Sequence, residues 1–394
     1  MAKIAKKGIF NNIFFIGLLS FFGGISQDIF VPILPLYLSD ILGMDKSFIG
    51  LTEGIVTSSA SIFKIVSGFL TDKLKSKKSI IFVGYFLSLI SRPLLAVISS
   101  SFGVLALRLI DGIGKGLKDA PKDALIADST LNTNRGKSFG VARALDTMGS
   151  VIGPLILFGL LFLFQTLDKK YEYIFFISAL PLVLTLLVIV FKVKETPAIK
   201  DTNKSSESIA SVKLPTNFYI LLGIMCLFSI GNSSDAFLIL RAQNVGVELL
   251  AIPLVYALFN FFYATASIPL GSLSDRIGRE KVIILGWIAY ALAYLGFGFA
   301  NAAYQIWLLF AFYGIYYATT EGVAKALIAD LVDSSHRGRA YGLYNSVIGL
   351  MALPSSLIAG FLWDKVNSGA PFLFGACIAI LSTLCLGIFL RFKN

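Results

Sequence analysis

Histidine is all but missing from this chain. His336 is the only one among 394 residues, and cysteine occurs three times, at Cys226, Cys377 and Cys385. All three cysteines lie inside apolar stretches, with neither metal spacing nor a plausible disulfide partner. A His- or Cys-based metal site is therefore excluded, and no metal and no cofactor are expected. Charge is scarce as well, at 14% of residues, against roughly 25% in a soluble domain. No Gly-x4-Gly-Lys-Ser/Thr stretch occurs, which argues against ATP as the energy source within this chain. No nucleophile or metal constellation stands out, so an enzyme is not expected.

What the chain has instead is apolar surface. Hydrophobic residues make up 56% of it, and the mean hydropathy is +0.80. A soluble chain would have nowhere to hide so much of it, and the bilayer is the solvent that fits. About 20 apolar residues cross the hydrocarbon core as a helix. Twelve segments of that kind can be placed, at 11–38, 47–71, 79–99, 102–128, 138–165, 171–192, 217–242, 248–273, 281–300, 303–331, 339–364 and 371–391. The Lys3–Lys7 start and the apolar run after it imitate a signal peptide. The run continues to Leu38 with no convincing cleavage site, so it reads as a retained first helix. The polar stretch 193–216, with Pro197 and Pro215, divides the chain into an N-terminal bundle (1–192) and a C-terminal bundle (217–394). The expected fold is an all-α membrane protein, twelve transmembrane helices in two pseudo-symmetric bundles of six.

The net charge of +11 does not point to nucleic acid, because the basic residues sit in short turns. Twenty-one lysines and arginines lie in or beside the termini and even-numbered loops, against four (Lys46, Lys169, Lys170, Lys365) in the odd-numbered ones. By the positive-inside rule both termini and the 193–216 linker face the cytoplasm. The expected place is a bacterial cytoplasmic (inner) membrane, and the expected state a monomer with the lipid bilayer as its surround.

The two bundles are copies of one unit. Ala124–Asp128 recurs as Ala326–Asp330, and Arg135-Gly136-Lys137 with Gly140 recurs as Arg337-Gly338-Arg339 with Gly342, at an offset of 202 residues. Gly68-Phe-Leu-Thr-Asp72 recurs as Gly271-Ser-Leu-Ser-Asp275, at an offset of 203. Paired repeats in a membrane chain usually enclose a site and move against each other.

The fourth segment carries charge where lipid forbids it. Arg108, Asp111, Lys115, Lys118 and Lys122 are spaced 3, 4, 3 and 4 apart, one stripe of a helix. Each charge facing lipid at mid-membrane would cost about 2.5–3.5 kcal/mol, so the stripe must line a wet cavity or find partners. Asp111 lies one turn from both Arg108 and Lys115, and Arg143 and Asp146 form a second local pair. Asp28 and Glu53 have no opposite charge one turn away. Desolvation favours a protonated carboxyl and a nearby cation favours the ionised one, so moving either term loads or releases a proton. Asp28 and Glu53 are the leading proton carriers, with Arg108, Asp111, Lys115, Arg143 and Asp146 in the coupling set. At the duplication offset Arg108, Asp111 and Lys115 become Phe310, Tyr313 and Tyr317. The aromatic copy, with Asn232, Asp235, Tyr313, Tyr317 and Glu321, is the expected substrate surface.

At this point the chain resembles the major facilitator superfamily of secondary transporters. The loop Gly271-Ser-Leu-Ser-Asp275-Arg276-Ile-Gly278-Arg279 matches its signature nearly in full, while the first copy keeps Gly68, Leu70, Asp72 and Lys73 but has Lys75 where the family has glycine. The glycines allow close helix approach, and the aspartates end helices beside basic residues. The resemblance implies that Gly68, Asp72, Lys73, Gly271, Asp275, Arg276 and Arg279 form a cytoplasmic gate. Arg108-x-x-Asp111-Gly112-x-Gly114-Lys115-Gly116 looks like the arginine-glycine signature of proton-coupled members, with Asp111 where glutamine is usual. Gly140, Gly149 and Gly153-Pro154 match the spacing of the antiporter signature of drug exporters, whose final glycine pair is replaced by Leu157 and Phe158.

The resulting expectation is a transporter that moves a small organic solute by alternating access with protons as the coupling ion. Export of amphipathic compounds and movement of a polar or anionic metabolite, such as a siderophore or organic acid, both remain open. A channel is the competing class, and the charged loops that lock both halves at one face argue against it.

Overall fold

In a bilayer every backbone N–H and C=O must be satisfied within its own segment, and for apolar runs of this length that means helices. The computed structural model describes residues 2–74, 76–130, 135–195, 214–333 and 336–393, with backbone alone at 2–11, 72–74, 135–137 and 392–393. The described helices are α1 (Ala2–Phe30), α2 (Leu34–Leu36) running into a π-helical turn (Tyr37–Ile41), α3 (Lys46–Leu74), α4 (Lys77–Leu95), α5 (Ser101–Asp128), α6 (Arg135–Leu163), α7 (Lys170–Phe191), α8 (Thr216–Gly231), α9 (Ala236–Asn244), α10 (Ile252–Ile277), α11 (Arg279–Phe299), α12 (Ala303–Leu331), α13 (Arg337–Lys365) and α14 (Ala370–Lys393). The two short pieces continue the helices before them, so twelve rods cross the membrane among the described residues. Ten are long and apolar enough by composition. The other two are α5 and α12, the rods that carry the charged and aromatic stripes.

Two rods are broken where the apolar pattern predicts continuous segments. The first bends after Phe30, where Pro32 and Pro35 interrupt it. The seventh unwinds over Asn232–Asp235 between α8 and α9. Unwound backbone at membrane depth needs partners, and it has them. Tyr290 donates its hydroxyl to the Gly231 carbonyl at 2.9 Å, Ser355 donates to the Asn232 carbonyl at 3.2 Å, and the Ser234 amide donates to Ser356 Oγ at 3.2 Å.

The duplication is repeated in the packing. In the N-terminal half α5 packs on α3 and α4, and α1 on α6 and α7; in the C-terminal half α12 packs on α10 and α11, and α8 on α13 and α14. The glycines of the fourth segment make the first of these contacts possible. A Cβ on Gly112 would stand 2.7 Å from the Val56 carbonyl oxygen, and one on Gly114 2.6 Å from that of Gly84. Gly314, the repeat of Gly112, meets the Phe259 carbonyl in the same way at 2.7 Å. Even the ion pair at the helix ends is duplicated: Lys77 holds Asp128 at 2.8 Å, and 202 residues later Arg279 holds Asp330 at 2.8 Å.

The halves meet unequally at their two ends. One face carries the end of α7 and the start of α8 and is here termed the linker face. At the opposite, far face α3 and α13 form a long seam. Gly54 lies against the Leu353 backbone, where a Cβ would approach to 2.6 Å, and Ser58 donates to the Gly349 carbonyl at 2.9 Å. Asp364 on α13 caps α3, accepting from the amides of Lys46 at 3.1 Å and Ser47 at 2.7 Å and from the Ser47 hydroxyl at 2.6 Å. A carboxylate at a helix N-terminus is favoured by its unpaired amides and its dipole. Towards the linker face the halves separate. A Cβ on Gly68, Gly140, Gly271 or Gly342 would meet nothing within 4 Å. The close helix approach expected at Gly68 and Gly271 is therefore not made in this arrangement, because their neighbours across the halves stand apart.

The far-face seam predicts that Asp364→Ala loosens closure there. Loss of a helix cap costs about 1 kcal/mol, a shift of roughly fivefold in the closed population. Distance distributions between spin labels on the far ends of α3 and α13 should broaden to longer values; unchanged distances would refute the role of the cap.

Candidate functional site

Helical spacing and close packing together place the charges. Because α5 turns its glycines to α3 and α4, Arg108 and Lys115 reach the space between the halves, with Asp111 just behind them. There they form one chain. Lys115 Nζ lies 3.1 Å from Asp111 Oδ2, Arg108 NH1 lies 3.5 Å from the same oxygen, and Arg108 NH2 lies 2.6 Å from Glu53 Oε1 on α3. Arg108 and Asp111 are each 1% exposed, so neither faces lipid. Glu53 carries the chain across the interface, its Oε2 accepting from Ser234 of the unwound segment at 3.4 Å. Glu53 is thus ion-paired, although its own helix offers no partner.

Beneath this chain lies Arg92, fully buried, which donates to Gln27 Oε1 at 3.0 Å and to Ser26 and sits 5.3 Å from the centre of the Phe30 ring. Arg108 approaches the same ring at 5.7 Å. Asp28 is buried on α1 where α6 comes closest. A Cβ on Gly153 would stand 2.9 Å from Asp28 Cβ, and Ser150, one turn before Gly153, lines the cavity with Asp28. Gly149 and Gly153 thus act by bringing α6 onto α1 beside Asp28, whereas Gly140 faces open space.

In the C-terminal half the aromatic stripe of α12 surrounds Asp235. Tyr313 donates to Asp235 Oδ1 at 2.8 Å, and the Tyr317 hydroxyl lies 3.4 Å from Oδ2. Asn232 donates to the Tyr316 hydroxyl at 3.4 Å. The stripe continues into α11, where the Tyr290 and Tyr294 rings stack 4.0 Å apart, and into α8, where Phe228 stacks on Trp287 at 4.6 Å.

Between the halves lies a cavity of about 860 Å³. Asp28, Glu53, Arg108, Lys115, Arg143, Asp146, Asn232, Asp235, Tyr317 and Glu321 line it; Asp111 and Tyr313 stand just behind the wall, holding residues that do. It extends towards the linker face as far as Lys122, Asp123 and Lys325 and ends blindly beneath the α3–α13 seam. A bridge crosses it part of the way down. Arg143 on α6 lies 3.4 Å from Asp146 in its own helix and 3.6 Å from Glu321 on α12, and donates to the Tyr263 hydroxyl at 3.0 Å. Tyr263 in turn donates to Glu321.

The residues expected at the gate lie apart from this cavity. Asp275 contacts Arg279 at 3.6 Å within its own half. The side chains of Asp72 and Lys73 lie outside the described residues. Lys118 and Lys122 carry the α5 stripe into the cavity mouth, as their spacing predicts. Tyr256, Phe259 and Tyr263, spaced 3 and 4 apart on α10, form a further stripe as regular as that of α5. Ser150 carried no signal, since a lone serine in an apolar helix is ordinary, whereas Ser234 belongs to the polar run Asn232-Ser233-Ser234-Asp235.

The shared carboxylate predicts strong coupling on α5. Removing one member of a buried ion pair costs about 3–5 kcal/mol, because the partner charge is left alone. Asp111→Asn should lower thermal stability by that order, and Asp111→Asn with Lys115→Met should regain part of the loss. Additive losses in melting experiments would show that Lys115 is not held by Asp111.

The family model of the Major Facilitator Superfamily matches residues 16–240 and 220–394. An uncharacterized MFS-type transporter of Methanocaldococcus jannaschii is 37% identical over 381 residues, 95% of this chain and 94% of that one. The tetracycline resistance protein, class B, of Escherichia coli is 33% identical over 150 residues, 38% of this chain and 35% of that one. In fold, the crystal structure of nucleoside transporter NupG superposes with a TM-score of 0.77 at 15% identity, over 98% of this chain and all of that one. Two six-rod halves folded alike around one cavity, with a family match along the whole length, have one reading: the chain belongs to the Major Facilitator Superfamily and is a multi-pass membrane transporter.

Proposed function

We propose that the protein is a secondary active exporter that moves a small amphipathic organic solute out of the cell by alternating access, driven by protons. The observation that carries this reading is the blind cavity shared by two halves and shut at one face. The basic loops lie at the linker face, which by the positive-inside rule is the cytoplasmic one. The arrangement is then open inward, ready to load from the cytoplasm. The partial similarity to a tetracycline resistance protein and the glycine-lined α1–α6 contact support export.

Coupling follows from the ion-pair chain. At the closed end of the cavity Glu53 joins the two halves, through Arg108 and Ser234. Protonating it removes the charge that holds Arg108 and weakens the joint with the unwound segment. Asp28, at the cavity wall beside the α1–α6 contact, takes up or loses a proton as water reaches it or leaves it. Arg143 exchanges between Asp146 in its own half and Glu321 in the other. A proton moving down the membrane potential supplies about 2.3 kcal/mol per 100 mV. Closing the linker face brings the α3–α4 and α10–α11 turns against the opposite half, and there Asp72 and Asp275 with their basic neighbours act as the gate.

Two measurements test this. In proteoliposomes, with a compound selected by a thermal-shift screen of metabolites and drugs at two pH values, Asp28→Asn and Glu53→Gln should each lower pH-gradient-driven flux about tenfold, within the usual span of a coupling free energy. Both variants should stay folded, and full flux in both would remove them from coupling. Asp275→Asn should change the populations seen by single-molecule distances across the linker face. An unaltered distribution would contradict the gate.

A further inference from the structure

The charges of the cavity are not evenly spent. At its closed end two basic groups reach the wall, Arg108 and Lys115, and both are already held by carboxylates. Arg92 adds positive charge at this depth but is fully buried behind the wall, on Ser26 and Gln27. The acidic side is different. Asp235 makes no ion pair among the described residues; its side-chain partners are two phenol hydroxyls, those of Tyr313 and Tyr317. Among the described residues, the closed end therefore has a carboxylate without an ion pair, whereas each basic group at its wall is held by one.

What surrounds Asp235 points the same way. Tyr317, Tyr256 and Phe259 line the cavity beside it, with Phe259 5.3 Å from Tyr317 and 5.6 Å from Tyr256, ring centre to ring centre. Aromatic faces attract cations, most strongly where water is excluded. The unwound segment adds polar atoms that the protein itself does not use: Asn232 Oδ1 and Ser233 Oγ are buried without a hydrogen-bond partner, and both residues line the cavity. An acceptor left unsatisfied at such depth is costly unless a solute or water meets it.

We propose that the closed end of the cavity is a binding site for an organic cation, an ammonium or phosphonium centre on an apolar body, with Asp235 as counter-ion and Tyr256, Phe259 and Tyr317 as the aromatic wall. This rests on the reading of the cavity as the substrate path and narrows its substrate class. Nearer the mouth Lys64, Lys118, Lys122 and Lys325 also line the cavity, with Asp119, Asp123 and Glu321 among them, and the proposed site is the closed end beyond them.

Tetraphenylphosphonium and tetraphenylborate have the same shape and opposite charge, and they separate the possibilities without any mutation. Equilibrium dialysis of the full chain in detergent, with no gradient, should show saturable tetraphenylphosphonium binding, and tetraphenylborate weaker by at least about tenfold, or 1.4 kcal/mol. Asp235→Asn should lose the phosphonium by a similar factor, Asp235→Glu should keep most of it, and Tyr317→Leu should weaken it severalfold. Equal or tighter binding of the borate overturns the proposal, and so does unchanged phosphonium binding in a folded Asp235→Asn variant, or the absence of phosphonium binding to the unmodified chain. Proton-driven flux of a neutral or anionic compound alongside any of those results would leave the transporter reading intact and sink the cation site alone.

Discussion

A charge inside a membrane protein must have a partner, and here two basic side chains share one. Asp111, 1% exposed, holds Arg108 at 3.5 Å and Lys115 at 3.1 Å. In a low-dielectric interior that arrangement fixes the rotation of α5. With Arg108 and Lys115 at the cavity and Asp111 just behind them, Gly112, Gly114 and Gly116 turn to α3 and α4, and the N-terminal half closes around them. Arg108 has more donors than Asp111 can satisfy, and the surplus goes to Glu53. Through Glu53 the ion pairs of one half reach the unwound segment of the other, so the element that stabilises a bundle also links the two.

The duplicated unit has kept its packing and changed its chemistry. Gly112 and Gly314 do the same work, as do the pairs Lys77–Asp128 and Arg279–Asp330. At the cavity, the positions of Asp111 and Lys115 hold Tyr313 and Tyr317 in the second half. The carboxylate there comes from Asp235, on a different rod, and its partners are hydroxyls in place of cations. One wall is thus neutralised internally, and the other keeps an anionic group facing the cavity. A site between unlike halves can bind a solute on one side and titrate on the other, an economy that two identical halves would lack.

Much of this was legible in the residues. The segment boundaries of α5, α7 and α12 fall within a residue of their apolar runs, and the pairing of Asp111 with both neighbours follows from spacing alone. The break at Asn232–Asp235 was not legible, because Tyr290, Ser355 and Ser356, the side chains that satisfy its backbone, come from rods tens of residues away. Glu53 was legible as one of three carboxylates open to the α5 cations, with Asp28 and Asp146, but which of them Arg108 takes was set by how the rods pack. The loop glycines Gly68 and Gly271 invited a close contact that this arrangement does not make, since a residue's capacity to approach another says nothing of which state the molecule occupies.

By itself, then, the sequence determined the solvent, the rods, the duplication and the stripes. These depend on local hydropathy, helical period and residue identity, which are properties of neighbours in the chain. Only the tertiary structure decided which stripes face each other, where the seventh rod unwinds, that the α3–α13 seam is the closed end, and that Asp235 has no cation partner among the described residues. Those depend on how two halves dock, and docking is set by contacts between residues hundreds of positions apart, for which no local pattern exists.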